Sequence, residues 1–183
     1  MQDFTERTIG SQSIYEGKII RVQVDDVQLP NGHTSKRELV KHPGAVAIVP
    51  FTADEKMVLI RQFRKPLEKE IYEIPAGKLE SGEDPVICAQ RELAEETGYQ
   101  TEHMSYITSF YTSPGFADEI LYLYEATALI SGEAQPDQDE FVERVEVTLE
   151  QALQLMKEEK IHDAKTCYAL LHWQLNNANH NKN

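Results

Sequence analysis

The chain has 183 residues, of which 40% are hydrophobic and 27% charged, and it carries a formal charge of −13. That balance describes a globular chain long enough to bury a real core, and no apolar run approaches the ~18 residues of a membrane span. No membrane partner is expected on that ground, and the acidity argues against a nucleic-acid partner, because a phosphate backbone calls for clustered Lys and Arg; a small phosphorylated molecule is still allowed if cations or placed arginines reverse the local field. Cys88 and Cys167 stand far apart with no Cys-x-x-Cys pair, so neither a disulfide framework nor a zinc site is expected, and both read as buried small hydrophobes. The start, Met-Gln-Asp-Phe-Thr-Glu-Arg, lacks the basic stretch and apolar run of a secretory signal, which makes the cytoplasm the expected compartment.

In chain order, Ile19, Ile20, Val22, Val24, Val27 and Leu29 read as β structure, followed by a Pro30-Asn31-Gly32 turn and a return through Leu39 and Val40. Gly44 to Phe51 and Met57 to Phe63 are apolar runs of strand length and read as core strands. A shorter strand is expected over Glu70 to Ile74, stopped by Pro75. Asp84-Pro85 predicts a helix start, with the aspartate capping free N–H groups, and Gly98 predicts its end. Strands follow over Ser105 to Tyr111, Ile120 to Leu129 and Phe141 to Val147, with a Thr112 to Glu119 loop between the first two. One helix should open at Thr148 with Gln151 as capping-box partner, and a second near Asp163; the polar tail after Asn176 is expected to fray.

The stretch from Gly77 to Tyr99 carries the most chemistry. Gly77, Glu83, Arg91, Glu92, Glu95, Glu96 and Gly98 stand in a glycine-bounded loop that runs into a helix. On that helix Glu92 and Glu96 are about 40° apart and Glu95 about 60° to the other side of Glu92, so all three share one arc. Most Glu-rich stretches are solvated acidic faces, and these three alone would read that way. The flanks argue otherwise. Gly77 suits a bend that turns a carbonyl, that of Ala76, toward a metal, and Arg91 can pair with Glu83 to pin the loop. Hard oxygen ligands without His or Cys favour Mg²⁺, with Mn²⁺ as substitute. The six histidines show no ligand spacing, and no aromatic residue stands out as a stacking platform.

Those seven positions match the Nudix box without departure, and the region resembles Nudix hydrolases. The resemblance implies a metal held by Glu92 and Glu96, help from Glu95 as a catalytic residue, and a structural pairing of Arg91 with Glu83. Physically, such a platform suits hydrolysis of a phosphoanhydride, with a further carboxylate accepting the proton of water. Glu73-Ile74-Pro75-Ala76-Gly77, Arg61-Gln62-Phe63-Arg64-Lys65-Pro66, Ser113-Pro114-Gly115-Phe116 and the late Lys160 to Thr166 segment are similar to the ADP-ribose pyrophosphatase branch. What the branch implies is substrate binding by Arg64, Arg37, Pro114 and Glu119, and a base that doubles as metal ligand on the loop before the last strand. Glu140 is the choice there, although Asp139 and Glu143 can be aligned instead.

The expected fold is α/β, a Nudix-type α/β/α sandwich with a mixed sheet, divided into an N-terminal β region over residues 1–42 and a catalytic domain over 43–183. Relatives in this branch exchange N-terminal regions as homodimers, which implies a homodimer here. The expected activity is Mg²⁺-dependent cleavage of ADP-ribose to AMP and ribose 5-phosphate. The alternatives are hydrolysis of an NDP-sugar or dinucleotide, or a domain that senses ADP-ribose without cutting it.

Overall fold

The computed structural model describes residues 3–135 and 141–180. It divides into two compact units, Met1–Gly44 with Phe110–Leu121, and Ala45–Ser109 with Tyr122–Asn183. The first unit is a three-stranded antiparallel sheet in the order β1 (Arg7–Glu16), β2 (Arg21–Gln28), β3 (Thr34–Lys41). Strand β1 had no clear signal, since Arg-Thr-Ile-Gly-Ser-Gln-Ser-Ile-Tyr-Glu lacks an apolar face. Ile19 and Ile20, read as strand, instead lie in the β1–β2 turn, where Gly17 N–H donates to the Ile20 carbonyl at 2.9 Å. The turn after β2 is the expected one, with Gly32 at a φ of 85° and its N–H on the Leu29 carbonyl. Asp25, nearly buried in β2, accepts from Ser11 Oγ at 2.6 Å and Gln23 Nε2 at 2.9 Å. The Ser11 bond leads in holding its carboxyl below the ordinary range.

In the second unit all six residues of β4 (Ala45–Pro50) are buried, which requires a cover on each face. On one face Val46 and Ile48 pack against Cys88, Ala89 and Leu93 of α1 (Pro85–Thr97), which follows β5 (Met57–Arg64), β6 (Lys69–Glu73) and β7 (Ala76–Lys78). The alternate positions lead to Phe51, whose ring lies 5.1 Å from that of Trp173. Trp173 belongs to the last helix, reached through β8 (Tyr99–Gln100), β9 (His103–Tyr111), β10 (Ile120–Thr127), β11 (Ile130–Ser131), β12 (Val142–Val147), α2 (Leu149–Lys157) and finally α3 (Ala164–His180). Strands run in the orders β7-β4-β10-β9, β12-β5-β6 and β11-β8, with helices on both faces of β4. This is the mixed α/β/α arrangement.

The predicted caps form. Asp84 Oδ1 accepts from Val86 N–H at 2.9 Å, Gly98 ends α1 at a φ of 73°, and Thr148 and Gln151 exchange both bonds of a capping box. Helix α3 continues to His180, past Asn176 where fraying was expected. Cys88 is fully buried as expected, whereas Cys167 is only half-buried. No helix among the described residues is long and apolar enough to cross a membrane.

Candidate active site

The site is assembled where β7 lies against α1. Strand β7 is fixed by its pairing with the buried β4, Ala76 opposite Ala47 and Gly77 opposite Val46. A Cβ on Gly77 would run into the Glu92 carboxylate. Gly77 has no positive φ, so it is needed for close approach, and not for the bend expected from sequence. Gly77→Ala should therefore displace Glu92 and lower kcat by roughly a hundredfold, an effect on the scale of lost first-rank electrostatic groups, with the far-UV spectrum unchanged. Wild-type turnover in Gly77→Ala would show that the Glu92 position does not matter.

Arg91 is the hub of the box. Its Nε and Nη2 donate to the two oxygens of Glu83, each at 3.1 Å, and its Nη1 donates to Glu92 at 2.8 Å and Glu95 at 2.9 Å. The Glu83 pairing was expected; the reach to Glu92 and Glu95 was not. Hydrogen bonding from Arg91, then from Glu80 N–H, holds the Glu83 carboxyl down to about 2. A depressed folded-state value means that this pairing stabilises the fold fully above the ordinary carboxylate range, and that the stabilisation is lost as pH falls toward 2. The melting-temperature gap between wild type and Glu83→Gln should therefore be widest near neutral pH, shrink as pH falls below the ordinary carboxylate range and close toward about pH 2. A gap that is constant with pH would exclude this pairing as its source. Burial pushes the Cys88 thiol up to about 12, so it stays neutral and packs as a small hydrophobe.

Glu96 is 4% exposed and accepts from Ala76 N–H at 2.9 Å. Glu83, Glu92 and Glu95 share the guanidinium of Arg91, with the buried Glu96 one turn beyond Glu92 on the same helix. Oxygen donors in excess of local positive charge fit a hard divalent cation. Among the described residues no group of three or more His, Cys, Asp or Glu side chains is arranged to hold a metal ion. A partial protein shell is the usual setting for a cation that keeps waters and takes substrate phosphate as ligand.

Arg64 lies at the end of β5, with its Nε on Glu73 Oε2 at 2.6 Å. Glu73 was read as part of a short strand and of the motif entering the box, with no role of its own; the missed signal was a carboxylate facing arginines on the neighbouring strand. Arg37, Pro114 and Glu119 belong to the first unit. There Arg37 makes a forked pair with Glu6, and Pro114 sits in a turn where Ser113 O accepts from Phe116 and Ala117 N–H. Glu119 accepts from Thr112 Oγ1 and lies 3.6 Å from His42 Nδ1. Glu143 is placed in β12 opposite Arg61 and pairs with it at 2.6 Å, which removes it from the loop where it was an alternative base. Glu140 and Asp139 lie outside the described residues.

Residues 41–170 match the family model for the NUDIX domain. The chain belongs to the Nudix family. Residues 6–40 match the model for the nucleoside diphosphate sugar hydrolase N-terminal domain. This Nudix chain is 56% identical over 177 residues to a Bacillus methanolicus protein named methanol dehydrogenase activator, with 96% of each chain covered. It is 52% identical over 180 residues to the ADP-ribose pyrophosphatase of Bacillus subtilis (strain 168), with 97% of each covered. A crystal structure of an ADP compounds hydrolase shares the fold at a TM-score of 0.82 and 20% identity, over 93% of this chain and 94% of that one. Nudix hydrolases generally use divalent metals, in keeping with the oxygen-rich donor set around Glu92 and Glu96.

Proposed function

We propose that this Nudix chain hydrolyses the diphosphate of ADP-ribose to AMP and ribose 5-phosphate, with Mg²⁺ as cofactor and Mn²⁺ able to replace it, as a cytoplasmic homodimer. The near full-length likeness to the Bacillus subtilis pyrophosphatase carries the substrate; the intact carboxylate cluster supports the chemistry. Glu92 and Glu96, with the Ala76 carbonyl and Glu140, would hold the cation. When bound, it would offset diphosphate charge and acidify water. Arg64, anchored through Nε, has both Nη groups without partners among the described residues, a planar fork suited to phosphate oxygens. Glu140 accepts the proton of the attacking water, with Glu95 assisting, while Arg37, Pro114 and Glu119 bind the rest of the substrate. Water adds to one phosphorus as its bond to the bridging oxygen breaks, and that oxygen leaves with the other phosphate.

The dimer is supported by β1, nine of whose ten residues are exposed, with Ile9, Ile14 and Tyr15 about half accessible. Light scattering at micromolar concentration should give twice the chain mass, and a monomer would remove this part of the proposal. The substrate is tested by coupling the reaction to a phosphatase and measuring phosphate across ADP-ribose, NDP-hexoses and dinucleotides; ADP-ribose should give the highest kcat/KM. A second reading comes from the Bacillus methanolicus relative, that the chain activates a methanol dehydrogenase. Methanol oxidation by such an enzyme with and without this chain would test it, and an unchanged rate would remove it.

A further inference from the structure

Glu73 has no part in the reaction just described, yet it is 3% exposed and each of its oxygens is held by a different cation. Oε2 takes Arg64 Nε at 2.6 Å, and Oε1 takes Lys165 Nζ at 2.6 Å. We propose that Glu73 and Lys165 are positioning residues that aim the Arg64 guanidinium at the substrate diphosphate, neither of them touching substrate. This rests on the reading of Arg64 as a diphosphate ligand.

The register explains why Arg64 needs such a hold. On the paired strands Ile60 stands opposite Glu73, Gln62 opposite Ile71 and Arg64 opposite Lys69, so these residues share one face and Arg64 reaches back along it to Glu73. Anchoring at Nε leaves Nη1 and Nη2 without partners among the described residues, on a side chain 39% exposed. A guanidinium held at its inner edge can present its outer edge in one direction only.

Lys165 is the less expected member. Its side chain is 12% exposed and it also donates to Asp163 Oδ1 at 2.9 Å, giving two cations and two carboxylates in balance. Desolvating such a group gains little stability over an apolar pair of similar size, so its presence calls for another purpose. The neighbouring residue points to one. Thr166 Oγ1 accepts from the buried Ile74 N–H at 3.0 Å, two residues before the Ala76 N–H that holds Glu96. The first turn of α3 thus grips both ends of the segment Glu73-Ile74, one through the charge that aims Arg64 and one through the strand that enters the box.

The test is a kinetic double-mutant cycle, run on whichever nucleoside diphosphate derivative the wild type cuts. A wild type that spares ADP-ribose but cuts another of these substrates would therefore count against the substrate reading alone. Glu73→Gln should raise KM about tenfold with kcat changed less than about threefold, the pattern of lost ground-state positioning. In an Arg64→Gln background, where there is nothing left to aim, Glu73→Gln should move KM less than about twofold. Equal KM effects in both backgrounds, or an unchanged KM in Arg64→Gln alone, would overturn the proposal. If Glu73→Gln fails to fold, Lys165 carries the test: Lys165→Met should raise KM and Lys165→Arg should restore it. Wild-type KM in folded Lys165→Met would overturn it as well.

Discussion

Glu96→Gln should lower kcat by at least about a thousandfold while leaving the melting temperature equal to or above that of the wild type. The two effects separate because glutamine keeps the volume of the side chain, and its amide oxygen can still accept from Ala76 N–H, now at 2.9 Å from the carboxylate. The buried site therefore keeps its packing and its hydrogen bond. What it loses is one negative charge on the helix face that also carries Glu92 and Glu95, so like-charge repulsion at i, i+4 spacing is relieved. The same lost charge would be a ligand of the proposed cation, and an amide is a poor replacement. Steady-state kinetics and a thermal melt on one preparation decide the matter. A variant with wild-type turnover would remove Glu96 from the metal site, and one that is inactive but much less stable would make Glu96 a structural residue.

Chelation should abolish turnover, to below about 1% of the starting rate, and Mg²⁺ or Mn²⁺ should restore it. In a chain of charge −13 an anionic diphosphate meets repulsion, and among the described residues the box offers a single guanidinium already shared among Glu83, Glu92 and Glu95. On the proposed reading Arg64 supplies part of the positive charge at the phosphates, and the cation would supply the rest. A cation that binds the folded chain alone also stabilises it by mass action, so Mg²⁺ should raise the melting temperature of wild type and not that of Glu96→Gln. Full activity after exhaustive chelation would contradict the metal assignment.

The box was legible because its chemistry depends on spacing within one helix, where i, i+3 and i+4 determine which carboxylates are neighbours. The caps at Asp84, Gly98 and Thr148 were legible for the same local reason. Other features depended on partners distant in sequence. Strand β1 exists by pairing with β2, with Asp25 satisfied across the ladder by Ser11, and no apolar alternation announces it. Strand β7 is three residues held by β4, and the need for Gly77 appears only once Glu92 folds over it. Lys165 and Glu73 are 92 residues apart, so their contact is invisible to any local pattern. Arg64 was legible as a candidate phosphate ligand, but its pairing with the buried Glu73 carboxylate was not.

Incubating the purified chain with ADP-ribose and Mg²⁺ and separating the products by chromatography tests the central claim most directly. Equimolar AMP and ribose 5-phosphate, formed at a rate that falls with chelator, is the predicted result. ADP-ribose recovered intact while an NDP-sugar or dinucleotide is consumed under the same conditions would contradict it.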